Sequence, residues 1–384
     1  VSYKAFKYRL YPNENQKELL EKHFGCVRYV YNKALSLKNQ FYQENKENLT
    51  RRKISEKVTS WKKEEETKWL KEVNSQSLQF ALINLETAFV NFFKKKANFP
   101  KFKKKSNRQS FSCPQSCNVD FENSRFFLPK FKEGIKCVFH RSFEGKIKTC
   151  TVSKTPTGKY FVSILVDLQN EETEKLPISE ETCLGIDLGI KNFATFSNGE
   201  KIENPKFLEK KLKKLKRENR RLSRKKKGSK NRNKQRVKLA KQYEKVTNYR
   251  KDFQHKVTRK IVDNQNYTSV SLETLGIKDM LKNNKLSRQI SDAAWFQFKT
   301  FLKYKLEEKG KSLLEIGRFE PSSKMCSCGN INTDLKLSDR TWTCKSCNTS
   351  HDRDVLAANN IKKFAFLGKD YPELTLLEIA VTQS

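Results

Sequence analysis

The chain has 384 residues, enough for two or three domains and a sizeable core. Its 80 Lys+Arg against 43 Asp+Glu leave a formal charge of +37, far beyond what solubility needs, which points to a polyanionic partner such as nucleic acid or an anionic membrane. No window approaches the roughly 18 apolar residues of a spanning helix, and the start lacks the apolar stretch of a signal peptide. The membrane reading is therefore weak, a cytoplasmic chain held near the nucleoid through DNA is expected, and the ten cysteines read as thiols or metal ligands.

Residues 3 to 11, "YKAFKYRLY", alternate apolar and basic until Pro12 and predict a half-buried strand. Asn13 and Gln16 then have the spacing of a capping box, and Leu20, Phe24, Val27, Tyr31 and Ala34 follow at helical spacing. A polar helical stretch continues to about residue 72. A second helix puts Leu78, Leu82, Leu85, Phe89 and Phe92 on one core stripe, ending before "NFPKFKKK".

From about 107 to 170 the pattern becomes short alternating runs, "SRFFLP", "GIKCVFH", "KIKTCTVSK" and "YFVSILVDL", the last two joined by "TPTG". These predict an antiparallel unit that the N-terminal strand joins, with the helices inserted between them. After an acidic linker, "TCLGIDLGIKNFATFS" predicts two strands around a glycine turn. Residues 206 to 264 predict a basic helical hairpin, with Leu208, Leu212, Leu215 and Leu222 on one seam. Leu239, Tyr243, Val246, Phe253, Val257 and Ile261 form the other, and "GSKN" is the turn. The like charges at its tip repel one another unless phosphates neutralise them. "YTSVSLETL" and "KSLLEI" are strands on either side of a helix closed by Gly310, which makes about 180 to 384 an α/β domain.

Two carboxylates stand where apolar strands end: Asp187 in "GIDLG" and Glu273 in "SVSLE". An ionised acid at the edge of a core is costly without a cation. With a third acid at 352 or 354, the set has the composition of a site for two divalent ions that hydrolyses phosphodiesters. No Ser or Cys triad signature offers a covalent route. In a helix "RDVLAANNIKKFAFLG", Asp354 shares a face of small residues with Ala357, Ala358, Ile361 and Ala365, while Asp352 lies about 200° away. Asp354 is thus the expected ligand and Asp352 the capping acid.

Just before it, Cys326 and Cys328 face Cys344 and Cys347 across a loop, near the spacing of a structural zinc site, with His351 as a substitute ligand. The Cys-x-Cys half is one residue short of the usual knuckle. Cys26, Cys113, Cys117, Cys137, Cys150 and Cys183 lie in apolar or strand contexts and read as inert.

In order along the chain, "LGIDLGIKNFATF", "SVSLETL", "SSKMCSCG" with "TWTCKSC", and "HDRDVLAANNI" resemble the three RuvC-type motifs and the zinc-finger insert of the TnpB family of transposon-encoded, RNA-guided nucleases. "FKYRLYPNENQKELLEKHFGCVRYVYNKAL", "NSQSLQFALINLETAFVNFF" and "FPKFKKKSNRQSF" are similar to that family too.

The resemblance implies a multidomain α+β chain. Its parts would be a split wedge β-barrel over 1–12 and 97–175, an inserted helical recognition domain over 13–96, and a RuvC domain of RNase H type over 180–384 with a zinc-finger insert at 322–350. It further implies an RNA-guided DNA endonuclease that cuts beside a short target-adjacent motif, monomeric in its ribonucleoprotein, using Mg²⁺ or Mn²⁺ held by Asp187, Glu273 and Asp354, and a structural Zn²⁺. The guide RNA would derive from the transposon end, and the target would be double-stranded DNA.

By position Gln76 and Gln79 resemble the residues near the adjacent motif, although a solvent-exposed pair reads equally well. Lys101, Lys103, Arg108, Arg220, Arg221, Lys225 and Arg232 are the expected phosphate contacts. Leu356 stands where the family usually has Asn. Two rivals share these motifs: a compact type V CRISPR effector, separable by gene neighbourhood, and a nuclease-inactive RNA-guided repressor, against which the three retained acids argue.

Overall fold

The computed structural model describes residues 3–106, 108–168, 173–318, 320–336 and 338–367. The chain divides into two compact units, residues 1–172 and 173–384.

In the first unit, strand β1 (Tyr3–Tyr11) is followed by α1 (Glu14–Asn45), α2 (Arg51–Trp61), a 3₁₀ segment (Glu65–Glu72) and α3 (Ser75–Phe93). Six strands follow: β2 (Gln109–Cys113), β3 (Asn118–Asp120), β4 (Arg125–Phe127), β5 (Ile135–Val138), β6 (Lys146–Lys154) and β7 (Tyr160–Asp167). They form one antiparallel sheet in the order β2-β6-β7-β1-β5-β4-β3. β1 therefore lies between β5 and β7, which are far from it in sequence. The start of α1 is fixed by a reciprocal capping box, in which Asn13 accepts from the Gln16 N–H and the Gln16 side chain accepts from the Asn13 N–H.

The inserted helices share one continuous core with the sheet: Phe24, Leu78 and Leu82 belong to the same cluster as Phe111, Val152 and Val162. His23 is buried at this junction. Its Nδ1 contacts the Leu19 carbonyl at 2.8 Å, its Nε2 accepts from the Asn74 N–H at 3.2 Å, and burial pushes its pKa down to about 4. The single polar helix expected up to residue 72 is instead α1, α2 and the 3₁₀ segment, because Trp61 and Leu70 turn inward and break the run into short pieces. On α3, Leu78, Leu82 and Leu85 are buried, whereas Phe89 and Phe92 lie at the rim and the neighbouring Phe93 is 74% exposed.

The second unit is built on a five-stranded sheet of order β10-β9-β8-β11-β12. Its strands are β8 (Cys183–Asp187), β9 (Asn192–Phe196), β10 (Lys201–Glu203), β11 (Ser269–Glu273) and β12 (Ser312–Ile316). β8, β11 and β12 run parallel, and β9 and β10 antiparallel. α4 (Phe207–Ser223) and α5 (Lys230–Asp263) make the hairpin, α6 (Ile277–Met280), α7 (Ser287–Ala293) and α8 (Trp295–Glu307) follow, and α9 (Arg353–Phe364) comes last. A two-stranded ribbon, β13 (Thr341–Thr343) with β14 (Ser350–Asp352), leads directly into α9.

The sheet has two covered faces, and strand alternation sorts its side chains between them. Leu184, Ile186, Val270 and Leu272 pack with Val257, Ile261, Phe298 and Leu302 of α5 and α8. Cys183, Leu314 and Ile316 pack instead with Ile361, Phe364 and Ala365 of α9 and the residue beyond it. By period two, residues 185, 187, 269, 271 and 273 belong to the α9 face. Among the described residues no helix is long and apolar enough to cross a membrane.

The hairpin expected between 206 and 264 forms, with Leu215, Leu239 and Val246 buried in its seam. Tyr243, assigned to that seam by periodicity, is 46% exposed and accepts from Asn219 at 3.4 Å. The seam also holds a polar pair: Gln235 Nε2 donates to the buried Glu218 carboxylate at 2.7 Å and to its carbonyl. That bond, with Arg221 and Arg217 nearby, holds the Glu218 carboxyl below its usual range.

Candidate functional sites

The three expected acids converge on the α9 face of the sheet. β8 and β11 are in register through Ile186 opposite Leu272, so Asp187 and Glu273 are the next residues on adjacent parallel strands. Both follow an apolar residue that faces α5 and α8, which turns both carboxylates to the other face. Gly185 explains how α9 comes so close: a Cβ there would collide with the Ala358 carbonyl oxygen and press on the Lys362 side chain.

Asp354 lies one helical turn before Ala358, about 6 Å along the axis. Asp187 lies two residues beyond Gly185, about 6.6 Å along the strand. α9 runs antiparallel to β8, with Lys362 near Cys183 and Asp354 near Asp187. Burial, then the charges of Asp354 and Glu273, push the Asp187 carboxyl up to about 7, against the opposing pull of Arg353 and Arg340. Burial also raises Glu273. Asp354 faces the Arg340 guanidinium at 3.5 Å. Arg340 is the functional neighbour that sequence reading missed, since it reaches the acids through the β13–β14 ribbon rather than through any motif.

Asp352 is separated from this group. Its carboxylate accepts from the N–H of Asp354 and of Val355, both at 3.1 Å, capping α9, and it pairs with Lys201 at 2.6 Å. Burial opposes ionisation there, yet Lys201 and the N–H groups keep its carboxyl below the usual range.

Among the described residues, Cys326, Cys328, Cys344 and Cys347 are the group whose donor atoms lie within 4.8 Å of one another. Cys326 and Cys347 sulfurs are 3.5 Å apart, and Cys328 and Cys344 sulfurs 3.7 Å. A tetrahedral Zn–S₄ centre with 2.3 Å bonds has edges of roughly 3.8 Å, so the donor set fits zinc and the short Cys-x-Cys spacing does not prevent convergence. The N–H groups of Cys347 and Ser346 hold the Cys344 thiol down at about 6. For Cys328 the N–H of Asn330 pulls the thiol down, but the adjoining sulfurs of Cys347 and Cys326 push it up to about 12. His351, the expected substitute ligand, has Nε2 3.0 Å from the Cys326 sulfur and packs against Trp342. Leu356 is buried with Cys326, Trp342 and Cys344, so α9 supplies part of the core of the cysteine module.

Of the remaining free cysteines, burial pushes Cys26 and Cys137 up to about 12, as befits inert thiols.

The expected phosphate contacts divide. Lys101, Arg108 and Arg220 are exposed. Lys225 is half-buried, and Arg221 is exposed but pairs with Glu218 at 3.2 Å. Arg232 donates to the carbonyls of Leu222 and Lys225 at 2.7 and 2.8 Å, closing the C-terminal end of α4. Lys103 places its ammonium 3.9 Å from the centre of the Tyr31 ring, and burial lowers its pKa. Gln76 and Gln79 are both half-buried: Gln79 Oε1 accepts from Ser55 at 2.9 Å, and Gln76 Oε1 is buried without a partner among the described residues.

Three family models match parts of the chain: "Helix-turn-helix domain" at residues 2–47, "Probable transposase" at 163–284, and "Cas12f1-like, TNB domain" at 295–361. Relatives named "Putative RNA-guided DNA endonuclease" include two that match most of the chain at over 30% identity. One, from Streptomyces pristinaespiralis, is 41% identical over 363 residues, covering 93% of this chain and 88% of the relative. The other, InsQ of Escherichia coli (strain K12), is 33% identical over 373 residues, covering 93% and 91%. A solved structure titled as the mini-RNA-guided endonuclease CRISPR-Cas_phi3 aligns over 96% of this chain and 93% of its own, with 10% identity and a TM-score of 0.48.

Proposed function

This chain belongs to the TnpB family, the OrfB group of IS605-type elements, and on that premise we propose that it is an RNA-guided DNA endonuclease. The observation that carries the reading is the placing of Asp187 and Glu273 at adjacent strand ends beneath the first turn of α9, where Asp354 sits. A half-buried group of like charges is held at a cost unless cations enter it. Two Mg²⁺ or Mn²⁺ ions would supply that charge, activating water and stabilising the leaving oxygen of the scissile phosphodiester.

The chain's own part is to hold three carboxylates in a fixed arrangement. The parallel register of β8 and β11 fixes two of them, and the Gly185 contact with α9 fixes the third. Arg340 offsets the charge of Asp354, and Lys201 keeps Asp352 engaged as a cap, away from the acids.

In this reading the seven-stranded sheet with its inserted helices is the split wedge and recognition assembly, and the second unit is the RuvC domain. The four cysteines hold zinc that braces the ribbon entering α9. Sequence specificity belongs to pairing between a guide copied from the transposon end and the target strand, while the protein reads an adjacent motif and backbone shape. The exposed Lys101, Arg108 and Arg220 take phosphates, with Gln76 and Gln79 near the adjacent motif.

The test is to express the chain with its native flanking DNA, sequence the RNA that co-purifies, and cut a plasmid library matched to that guide with and without Mg²⁺. Recovery of no bound RNA would sink the guided reading. Cutting that persists without divalent ions would sink the two-metal one.

A further inference from the structure

A helix-interior glycine is explained where a neighbour leaves no room for a side chain. Gly25 is not. It sits near the middle of the 32-residue helix α1, and a Cβ built there would meet nothing within 4 Å. Gly185, by contrast, is required by the Ala358 carbonyl. A glycine inside a helix destabilises it relative to alanine, and close approach to a ligand is one of the few reasons to keep one.

The space over Gly25 is a groove of about 820 Å³ between α1 and the 3₁₀ segment, within the usual range for a small-molecule site. Tyr29 and Trp69 form one wall, with ring centres 5.0 Å apart at 68°. Of the four tryptophans, Trp61, Trp295 and Trp342 are buried, while Trp69 is 37% exposed, its ring fixed by a bond from Nε1 to the Glu66 carbonyl at 2.9 Å. Lys22, Arg28 and Lys33 line the same groove. Lys22 pairs with Glu72 at 2.8 Å, Lys33 with Glu64 at 3.6 Å, and Arg28 donates to Gln109 at 2.8 Å. The two lysine pairs are partly exposed, and exposed pairs contribute little, so a phosphate can replace them.

We infer that this groove takes one unpaired nucleotide of a bound polynucleotide, its base on the Tyr29–Trp69 wall and its backbone passing over Gly25 between the three cations. Aromatic faces accept any base, whereas a duplex hides the base from them, so the ligand is single-stranded. A chain of charge +37 is expected to attract polynucleotide over much of its surface, but the combination of a fixed aromatic wall and a glycine floor distinguishes this place from a merely basic one. The inference rests on the reading of the chain as a nucleic-acid enzyme and adds to it a specific subsite in the first unit.

The probe is a 12-nucleotide single-stranded RNA carrying one 4-thiouridine, run beside the matching single-stranded DNA with 4-thiothymidine and a fully paired RNA duplex, all with the full-length chain. Irradiation followed by peptide mapping is expected to place crosslinks within residues 22–36 or 65–72 for a single-stranded probe and not for the duplex; which single strand gives them identifies the source. Gly25→Leu puts a branched side chain on the groove floor and is expected to lower those crosslinks at least fivefold, the low end of what losing one base–aromatic stack costs. Gly25→Ala tests the fold in the same way: melting is expected to rise by about 2–4 °C while the crosslinks fall. Trp69→Leu should lose the signal and Trp69→Phe keep most of it.

Crosslinks that map only elsewhere, or that are indifferent to Gly25→Leu, would overturn the subsite while leaving RNA binding standing. A chain that crosslinks to no nucleic acid anywhere would overturn the enzymatic reading as well.

Discussion

Gly185 and Ala358 touch backbone to backbone: the Cα of one strand residue lies so close to the carbonyl oxygen of a helix residue that no methyl group fits between them. This contact sets the height of α9 above the sheet and, one turn earlier, the position of Asp354. Gly185→Ala is therefore expected to push α9 outward, with a loss of about 1–3 kcal/mol from overpacking and of cleavage through misplacement of Asp354. Thermal unfolding and plasmid cutting check both. A variant that melts as the parent does would mean that the helix yields without cost.

The two aspartates at the start of α9 should separate cleanly. Asp352→Ala removes a cap that accepts from two N–H groups, and is expected to cost about 1 kcal/mol while leaving cutting within a few-fold of the parent. Asp354→Ala should abolish cutting with little loss of stability, since it removes one of three mutually repelling charges. Chemical denaturation beside a cleavage assay distinguishes them, and the reverse pattern would exchange their roles.

A pH dependence follows from Asp187, whose carboxyl is pushed from 3.8 up to about 7 in the folded chain. The folded state then binds this proton more tightly than the unfolded state, so the ion-free chain loses stability as pH rises from about 4 to about 7. Asp187→Asn removes that loss. In EDTA it is expected to be more stable than the parent at pH 8, by up to about 4 kcal/mol, and to differ much less at pH 5. Adding Mg²⁺ at pH 8 should raise the melting temperature of the parent and not of the variant.

Leu356, expected from the family resemblance to be the one departure in its motif, is buried with Cys326, Trp342 and Cys344. Leu356→Asn is expected to weaken the cysteine module by about 1–3 kcal/mol through an unpaired amide, read out as faster zinc loss to a chelator. Zinc retention equal to the parent's would show that the amide finds partners in this setting.

The hairpin arginines offer a paired test. Arg220 is exposed, and Arg220→Ala should lower the salt slope of RNA binding by about one phosphate contact with melting unchanged. Arg232 is committed to the Leu222 and Lys225 carbonyls, so Arg232→Ala should lower melting first. Equal salt slopes for both variants and the parent would remove the hairpin from the RNA interface.

Much of this was legible in local pattern. Period two located "YKAFKYRLY" as a strand, because a half-buried pleat writes itself into alternation, and "SVSLE" and "KSLLEI" were legible as short runs of strand length. Helical phase alone distinguished Asp354 from Asp352, since a 3.6-residue period fixes which side chains share a face. Periodicity failed at Tyr243, which is half exposed, and it could not show that Glu218 and Gln235 satisfy each other inside the α4–α5 seam, because a hydrogen bond between two helices leaves no period in either.

The sequence by itself determined the elements, the charge that demands a polyanion, the four cysteines and the carboxylates at strand ends. Each depends on residues near one another in the chain. Only the tertiary structure decided that Asp187 and Glu273 are lateral neighbours, that Arg340 faces Asp354, and that Arg232 and Lys103 are tied into the fold. It also decided that Gly25 is open while Gly185 is covered. Those outcomes depend on which distant segments share a sheet or a core, and a glycine, arginine or lysine reads the same in the sequence whether its space is filled by the protein or left for something else.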